Sequence, residues 1–585
     1  MSRRILVLDG DCGAAISVVQ SLGRAGYHVT LAATSFAHRA FRSRYASDRA
    51  RCPSPLADKA AFQTWVLAQR DYALVIPVTE LSLMPLHEIR DRPELLGRVA
   101  LPPADATTIG FDKERVRLLA EQIGIPVPAT RIASSPIDLD APVFDAWLEQ
   151  GAVVLKSIRS KVWADGVGKE LAVQMAVNRE QLAIMAAQMF ESGSIQLQQW
   201  VPGTGRGIEV LVDKGEIVLS YAHERIHELP LTGGGSCYRR GLEPPQDLLE
   251  ASQRLLRTLG WHGVAMVEFR HDAATGRWFM MELNGRFWGS LPLAQFAGVD
   301  FPLALVELLL DNKRPVAVTA RPVYARSFGR DIQWLKQVAR MRLSDLVRRD
   351  APSPERKLML LRPLLRSVLE WGRLLTGRET LDGAALDDPG PIWWEVRKQI
   401  AEAAGAPFRK WRQRHIRREA VAAWQKPLVN VHRIMVLCSG NVCRSAYAGV
   451  RLGKALGAGF EVRSGGLSGS SGMRSPAVFA AAARNRGIDL TGHRSHAVDD
   501  AGLDWADLVL VMENKHAEAL AVRRPEVLSK TRWLGGATAR RGENPAIVDP
   551  VDFTGAQMET VLDLLDRATD AVAERLQLNE GPIGP

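Results

Sequence analysis

The sequence predicts a multidomain α/β protein in four parts. These are a parallel α/β layer over residues 1–100, an α+β region over 101–310, a basic helical connector over 311–430 and a doubly wound α/β domain over 431–585. Three observations carry this. The 585 residues exceed the roughly 250–300 at which a single core stops growing. Strand-like apolar runs alternate with helical patterns at both ends of the chain, and longer paired strands lie between them. The positive charge is local: residues 331–430 hold 20 Lys and Arg against 12 Asp and Glu, which is +8 of a net +10.

With 46% hydrophobic and 24% charged residues, the composition excludes a disordered chain. Five cysteines are too few for a disulfide framework and point to a reduced, cytoplasmic protein. The apolar run in "MSRRILVLDGDCGAA" stops at Asp9 and Asp11, so no secretory leader is expected. No uncharged apolar run reaches about 18 residues, so no membrane-spanning helix is expected.

In the first part, "RRILVLDGDCGAAISVVQSLGRAGYHVTLAAT" reads strand, turn, helix, strand, and "YALVIPVTELSLMPL" adds another strand. Gly10 and Gly13 mark a tight turn and fall short of a dinucleotide fingerprint. In the second part, "GAVVLKSI", "SIQLQQWV", "IEVLVDKGEIVLSYA" and "VAMVEFRHDAATGRWFMMELNGR" read as buried strands, with "DKGE" and "DAATGR" turning antiparallel pairs. The last hairpin brings together Glu268, Glu282 and Asn284, hard oxygen donors suited to Mg2+.

The third part places Ile332, Leu335, Val338, Arg342 and Leu346 along one side of a helix. Pro363 interrupts "KLMLLRPLLRSVLEWGRLL", and "LDDPGPIWW" reads as a turn with an exposed aromatic pair. The Arg–Leu–Trp mixtures of 331–430 fit packing on the neighbouring domains or an anionic membrane surface. Nucleic acid is not an expected partner, because no reading module or defined basic face is evident.

The fourth part repeats the strand–helix alternation from "VHRIMVLCSG" to "QMETVLDLLDRATDAVAERL". Its loop "CSGNVC" lies between a buried strand and the helix "RSAYAGVRLGKAL", where free N–H groups and the helix dipole attract an anion. Gly440 and Asn441 accept positive φ, which turns successive N–H groups inward. Arg444 adds a fork for phosphate. Cys438 is then expected as a thiolate able to attack phosphorus. A zinc site lacks further ligands at this spacing, and a structural cysteine pair is the other bland reading.

These residues resemble the low-molecular-weight protein tyrosine phosphatases over nearly all of 431–580. Cys438-x5-Arg444-Ser445 is followed by Ser464 in "VRSGG", His493 and Ser495 in "GIDLTGHRSHAV", then "ADLVLVME" and Asp549 in "IVDP". The resemblance implies a flavodoxin-like fold, no cofactor and a phosphocysteine formed on Cys438. Asp549 would protonate the leaving phenolate and then activate water. Ser439, Gly440, Asn441, Val442 and Cys443 would form the phosphate loop, held by Asn441, Ser464 and His493, with Ser445 bonded to the thiolate. The implied substrate is a phosphotyrosine protein or another phosphomonoester. Val551 and Asp552 precede Phe553 where the family often has aromatics directly, so the substrate rim differs. Arsenate reductase is the rival on this fold: no cysteine follows Cys443, which disfavours the thioredoxin-linked type and leaves the small-thiol type. Cys443 is placed to trap Cys438 as a disulfide under oxidation.

Residues 101–310 resemble the ATP-grasp superfamily of ATP-dependent carboxylate–amine ligases, with 1–100 as its Rossmann-like preceding layer. The motifs are Lys113 in "FDKERVRLLAEQIGIPVPAT", Lys156 in "AVVLKSI", Gln198, Gln199, Trp200 and Val201 in "LQQWVPG", Glu209 in "GIEVLV", and Arg286 after the acidic hairpin. The resemblance implies ATP and Mg2+. The two lysines would meet phosphates, Gln198 to Val201 would flank adenine, and Glu209 would contact nucleotide. Glu268, Glu282 and Asn284 would hold the metal, and Arg286 the γ-phosphate. A carboxylate would be phosphorylated and its acyl phosphate captured by an amine. The phosphate flap is reduced to "SKVWADGVGKE", with Gly166 and Gly168, and Gln199 stands where an acid is common. Arg225, Gly233 to Gly235 and Ser236 would close over the acyl phosphate, with Cys237 a bystander. The expectation is a bifunctional cytoplasmic enzyme, with a peripheral location at the inner face of the membrane as an option that 331–430 leaves open. The alternative is an ATP-binding sensor or scaffold that controls an active phosphatase.

Overall fold

A computed structural model describes residues 3–159, 161–164, 167–171, 173–190, 193–231, 234–272, 275–316, 318–347, 354–467, 471–540, 543–550, 553 and 555–579. Gly166, Gly233, Val551 and Asp552 lie outside the described residues, as do the side chains of Arg342 and Leu346. The chain divides into two compact units, residues 1–401 and 402–585.

The first unit opens with a four-stranded parallel sheet of β1 (Arg4–Val7), β2 (His28–Ala33), β3 (Asp48–Arg51) and β4 (Leu74–Ile76), ordered β3-β2-β1-β4. Ile5 and Val7 pack with Ile16, Val19 and Leu22 of the crossover helix Ala15–Arg24, which accounts for its buried apolar face. A second, antiparallel sheet holds β5 (Thr130–Ala133), β6 (Val153–Ser157), β9 (Gln174–Ala176) and β10 (Ile195–Gln199), in the order β5-β10-β6-β9. The short hairpin β7 (Lys161–Ala164) and β8 (Val167–Glu170) stands apart from that sheet.

A seven-stranded sheet forms the centre of this unit. It contains β11 (Thr204–Asp213), β12 (Glu216–Leu229), β13 (Gly235–Leu242), β14 (Gly263–His271), β15 (Trp278–Asn284), β16 (Tyr324–Arg326) and β17 (Glu379–Leu381), in the order β15-β14-β11-β12-β13-β16-β17. The β11–β12 turn puts Lys214 and Gly215 at φ +51° and +88°, which suits a tight hairpin between right-twisted strands. In the β14–β15 hairpin Glu268 lies directly opposite Glu282, beside a register shift at Glu268/Phe269.

The expected connector divides. Residues up to 401 are built into the first unit, because β16 and β17 extend its central sheet. Arg326 on β16 is fully buried and ties Glu379 Oε1 (2.7 Å) to Asp331 at the start of helix Phe328–Val347. The "LDDPGPIWW" turn is a clasp: Asp388 accepts from Ser43 Oγ (2.5 Å) and Gln20 Nε2 (3.0 Å), and Asp387 pairs with Arg24. Trp393 is exposed, but Trp394 is half-buried beside His38. Pro363 does not end its helix, which runs from Pro354 to Glu370. Among the described residues no single helix is long and apolar enough to cross a membrane.

The second unit carries a parallel sheet of β18 (Arg433–Cys438), β19 (Glu461–Gly466), β20 (Leu508–Val511) and β21 (Thr531–Trp533), ordered β19-β18-β20-β21. Numbered within the unit this is 2-1-3-4, the doubly wound order whose crevice opens at the carboxyl ends of the first and third strands. Helices Arg444–Leu456 and Gly555–Asn579 pack beside it around Tyr447, Leu452, Leu562 and Leu565.

Candidate active sites

The loop after β18 lies at that crevice. Asn441 takes φ +53°, which turns its N–H onto Cys438 Sγ at 3.2 Å, and Ser445 Oγ lies 3.0 Å from the same sulfur. The Asn441 amide donates to Ser445 Oγ and Ser464 Oγ, both at 3.0 Å. His493 Nε2 lies 2.6 Å from the Asn441 carbonyl. Ser439 Oγ lies 3.0 Å from His516 Nε2. Burial, with Arg444 nearby, holds the His516 imidazole down to about 4, so it is neutral at physiological pH. Gly440 and Val442 fill the rest of the loop; Ser495 donates its backbone N–H to Met473 O, outside the loop, and the next residue, His496, donates its N–H to Asn441 Oδ1 at 3.2 Å.

Arg444 is buried, and its guanidinium reaches Ile547 O (2.9 Å), Glu513 Oε1 (2.5 Å) and Asp549 Oδ2. It therefore joins the phosphate loop to Asp549, 105 residues away. Glu513 follows β20 at the same end of the sheet and was not singled out in the sequence. The signal was available: "VME" closes a buried parallel strand, and strand ends are where such a crevice draws its polar groups. Cys443 is buried, and burial pushes its thiol far up, with Asp549 adding to the shift. Phe553 is half-buried against the core of this unit.

In the first unit a cavity of about 420 Å3 runs between the small antiparallel sheet and the central one. Lys156 and Gln198, Gln199, Trp200 and Val201 line one end, and Glu268, Glu282, Asn284 and Arg286 line another part of its wall. Lys156 Nζ donates to Gln198 Oε1 at 2.8 Å, and burial pulls its ammonium down to about 8. Lys113 begins the helix Lys113–Gln122 and lines a small adjoining crevice with Gln198 and Glu282.

Glu209 sits behind the cavity wall. It is fully buried and does not line the cavity. It accepts from Ser290 Oγ (2.7 Å) and lies 2.9 Å from His223 Nδ1, while His223 and Ser290 themselves reach the cavity wall. The physical reason is Gly207, opposite His223: without a Cβ, it lets the imidazole lie over β11 and cover Glu209.

The acidic pair converges as the hairpin requires. The Asn284 amide nitrogen donates to Glu268 Oε1 and Glu282 Oε1, both at 3.1 Å, and its oxygen accepts from Arg286 at 3.0 Å. Glu268 also pairs with Arg225 at 2.6 Å. Burial raises the Glu268 carboxyl despite Arg225; burial also opposes ionisation of Glu282, but Lys113 and Lys156 outweigh it and hold that carboxyl low. Two facing carboxylates suit a hard divalent cation, and the Asn284 amide, whose nitrogen faces them here, joins as a ligand only when turned to present its oxygen. Among the described residues no cluster of three His, Cys, Asp or Glu forms a metal site. Gly234, Gly235, Ser236 and Arg225 line the opposite wall with Glu228, Arg270 and Arg330, three residues the sequence did not mark. Cys237 is buried, its thiol pushed up to about 12 by burial, and it does not reach the cavity.

Residues 433–581 match the family model described as low molecular weight phosphotyrosine protein phosphatase, and residues 191–337 match that described as ATP-grasp in the biosynthetic pathway with Ter operon. The chain is 30% identical to a protein-arginine-phosphatase of Geobacillus stearothermophilus over 26% of this chain and 99% of that protein. It is 34% identical to the low molecular weight protein-tyrosine-phosphatase Etp of Escherichia coli K12 over 24% of this chain and 93% of that protein. A solved N5-carboxyaminoimidazole synthetase of Staphylococcus aureus aligns with 58% of this chain and 86% of its own, at 13% identity and a TM-score of 0.44.

Proposed function

The chain belongs, through residues 433–581, to the low molecular weight phosphotyrosine protein phosphatase family, and on that premise we propose that Cys438 hydrolyses phosphotyrosine through a phosphocysteine. The observation that supports this most is the convergence of Asn441 N–H and Ser445 Oγ on Cys438 Sγ, with Asp549 held to the same loop by Arg444. The sulfur attacks phosphorus as the P–O bond breaks, and Asp549 gives its proton to the leaving phenolate. Water then attacks phosphorus, the S–P bond breaks, and Asp549 takes the proton. Loop N–H groups and Arg444 stabilise charge on the transferring phosphoryl oxygens.

Cys438→Ser is expected to abolish hydrolysis of p-nitrophenyl phosphate, and Asp549→Asn to lower kcat by roughly 10²–10⁴-fold. The named relatives act on tyrosine and on arginine phosphate, so phosphotyrosine and phosphoarginine peptides are to be compared directly. Faster turnover of the phosphoarginine peptide would overturn the substrate assignment, and arsenate reduction with a small thiol, without phosphatase activity, would overturn the reaction.

The ATP-grasp half is read as a ligase that phosphorylates a carboxylate and passes the acyl group to an amine. The support is one cavity that gathers Lys156, the 198–201 hinge, the acidic pair and Arg286. Glu268, Glu282 and Asn284 would hold Mg2+, which supplies charge neutralisation to the phosphates when bound. Lys156 and Arg286 orient the phosphates, and the hinge flanks the base. The full-length chain with ATP, Mg2+ and pools of carboxylates and amines is expected to release ADP. Glu282→Gln should stop that release and leave phosphatase activity intact. Tight ATP binding without turnover would mean a sensor instead.

A further inference from the structure

We infer that the outer face of residues 362–370, the last turns of the helix Pro354–Glu370, with the turn that follows it, is a docking surface for an anionic lipid bilayer. The helix has two distinct sides. Ser367 and Glu370 are buried, Ser367 bonding Arg326 and Glu370 pairing with Arg373. Leu365, Val368 and Leu369 point outward at i, i+3 and i+4, which puts them on one face. They are 52%, 60% and 79% exposed, and Leu375 in the following turn is 93% exposed. Scattered apolar side chains on a surface are ordinary, but a contiguous aliphatic face is not.

The charge beside this face identifies its partner. Arg362 and Arg366 project along one flank of the leucines, and Arg378 follows Leu375; all three are exposed. Arg366 and Arg373 share the single carboxylate of Glu370, so the pairing leaves positive charge over. Among the described residues neither Arg362 nor Arg378 pairs with a carboxylate. An aliphatic strip with arginines along its edge matches the two layers of a bilayer surface. The leucines enter the acyl boundary while the arginine stems run up to the lipid phosphates. A protein partner is the poorer match, since the outward face carries no aromatic anchor. Within the first unit, residues 331–401 hold 13 Lys and Arg against 10 Asp and Glu, and this net +3 adds to the attraction an anionic leaflet exerts. This inference stands apart from both enzymatic readings.

The test is co-sedimentation of the full chain with vesicles of phosphatidylcholine containing a third phosphatidylglycerol, beside vesicles of phosphatidylcholine alone. Binding is expected to the anionic vesicles only and to weaken with salt. Leu369→Glu with Leu375→Glu should abolish it. Arg362→Gln and Arg378→Gln should each weaken it about fivefold. Because these side chains are exposed, the variants should keep the thermal transitions and the p-nitrophenyl phosphatase rate of the parent chain. Absence of binding, binding that survives the leucine substitutions, or a parent dimer that those substitutions split into monomers would overturn the proposal.

Discussion

Arg444 and Lys156 show how single side chains set the chemistry of each unit. Arg444 was legible because its partners in sequence are local: the cysteine, the glycine–asparagine turn and the arginine fall within seven residues. Its structural partners Glu513 and Asp549 lie 69 and 105 residues on, so only the folded strand ends reveal that one guanidinium spans both. Lys156 was legible as a strand lysine, but its environment was not. Burial, with Lys113 adding repulsion, pulls its ammonium from the usual lysine range to about 8, while Glu282 pulls the other way. The sign of the consequence follows. Between pH 8 and the ordinary lysine value the unfolded chain keeps a proton that the folded chain has lost, so this group makes stability rise with pH across that window. Phosphate recognition runs oppositely, because the neutral amine attracts no anion. ATP affinity measured by calorimetry is therefore expected to fall as pH rises from 7 to 9, by up to about tenfold per pH unit above 8. Lys156→Arg, which stays charged, should flatten the curve. An unchanged affinity at pH 9 in the parent chain would remove Lys156 from the phosphate site.

The elements were legible where a local pattern determines them. The two hairpins announced themselves through turn residues and alternation, and the acidic pair met because Glu268 and Glu282 occupy facing positions. Three-residue strands carry too little pattern to be read, so β16 and β17 passed as helical connector. What recruits them is the buried Arg326–Glu379 pair, 53 residues apart, which no periodicity encodes. The surroundings of Glu209 were hidden for a related reason: its place in β11 was readable, but the imidazole covering it comes from the next strand. At the phosphatase loop the decisive element is the end of β19. A Cβ on Gly466 would lie 3.0 Å from Ser439 O, 3.1 Å from Gly440 C and 3.3 Å from Asn441 N. All three are backbone atoms of the phosphate loop, so they yield only if the loop moves. Gly466→Ala is expected to cost about 1–3 kcal/mol of stability and to lower phosphatase kcat. Gly459→Ala, where nothing lies within 4 Å, should do neither. Equal kinetics for the two variants would show that the loop does not depend on its contact with β19.

At the scale of the molecule, the hydrophobic cores respect the division at residue 401/402. The clusters around Ile5, Val210 and Leu155 draw only on the first unit, and those around Leu437 and Leu510 only on the second. The second unit's core includes Trp424, whose indole donates to Trp533 O at 2.8 Å, so residues ahead of β18 are needed to complete it. Relatives matched over 93–99% of their own length by the phosphatase segment show that a chain of that size holds the whole of this fold. A fragment of residues 402–585 therefore retains every buried group that shapes the Cys438 loop, together with its Trp424 cap. It is expected to fold and to cleave p-nitrophenyl phosphate with kcat/KM within about threefold of the full chain. Calorimetry of the full chain should resolve two unfolding transitions, one of which coincides with that of the fragment. A fragment starting at residue 431 lacks Trp424 and should melt several degrees lower, by about 3–5 kcal/mol, the cost of opening a tryptophan-sized cavity. An inactive 402–585 fragment, or a single transition in the full chain, would mean that the two units share a cooperative fold.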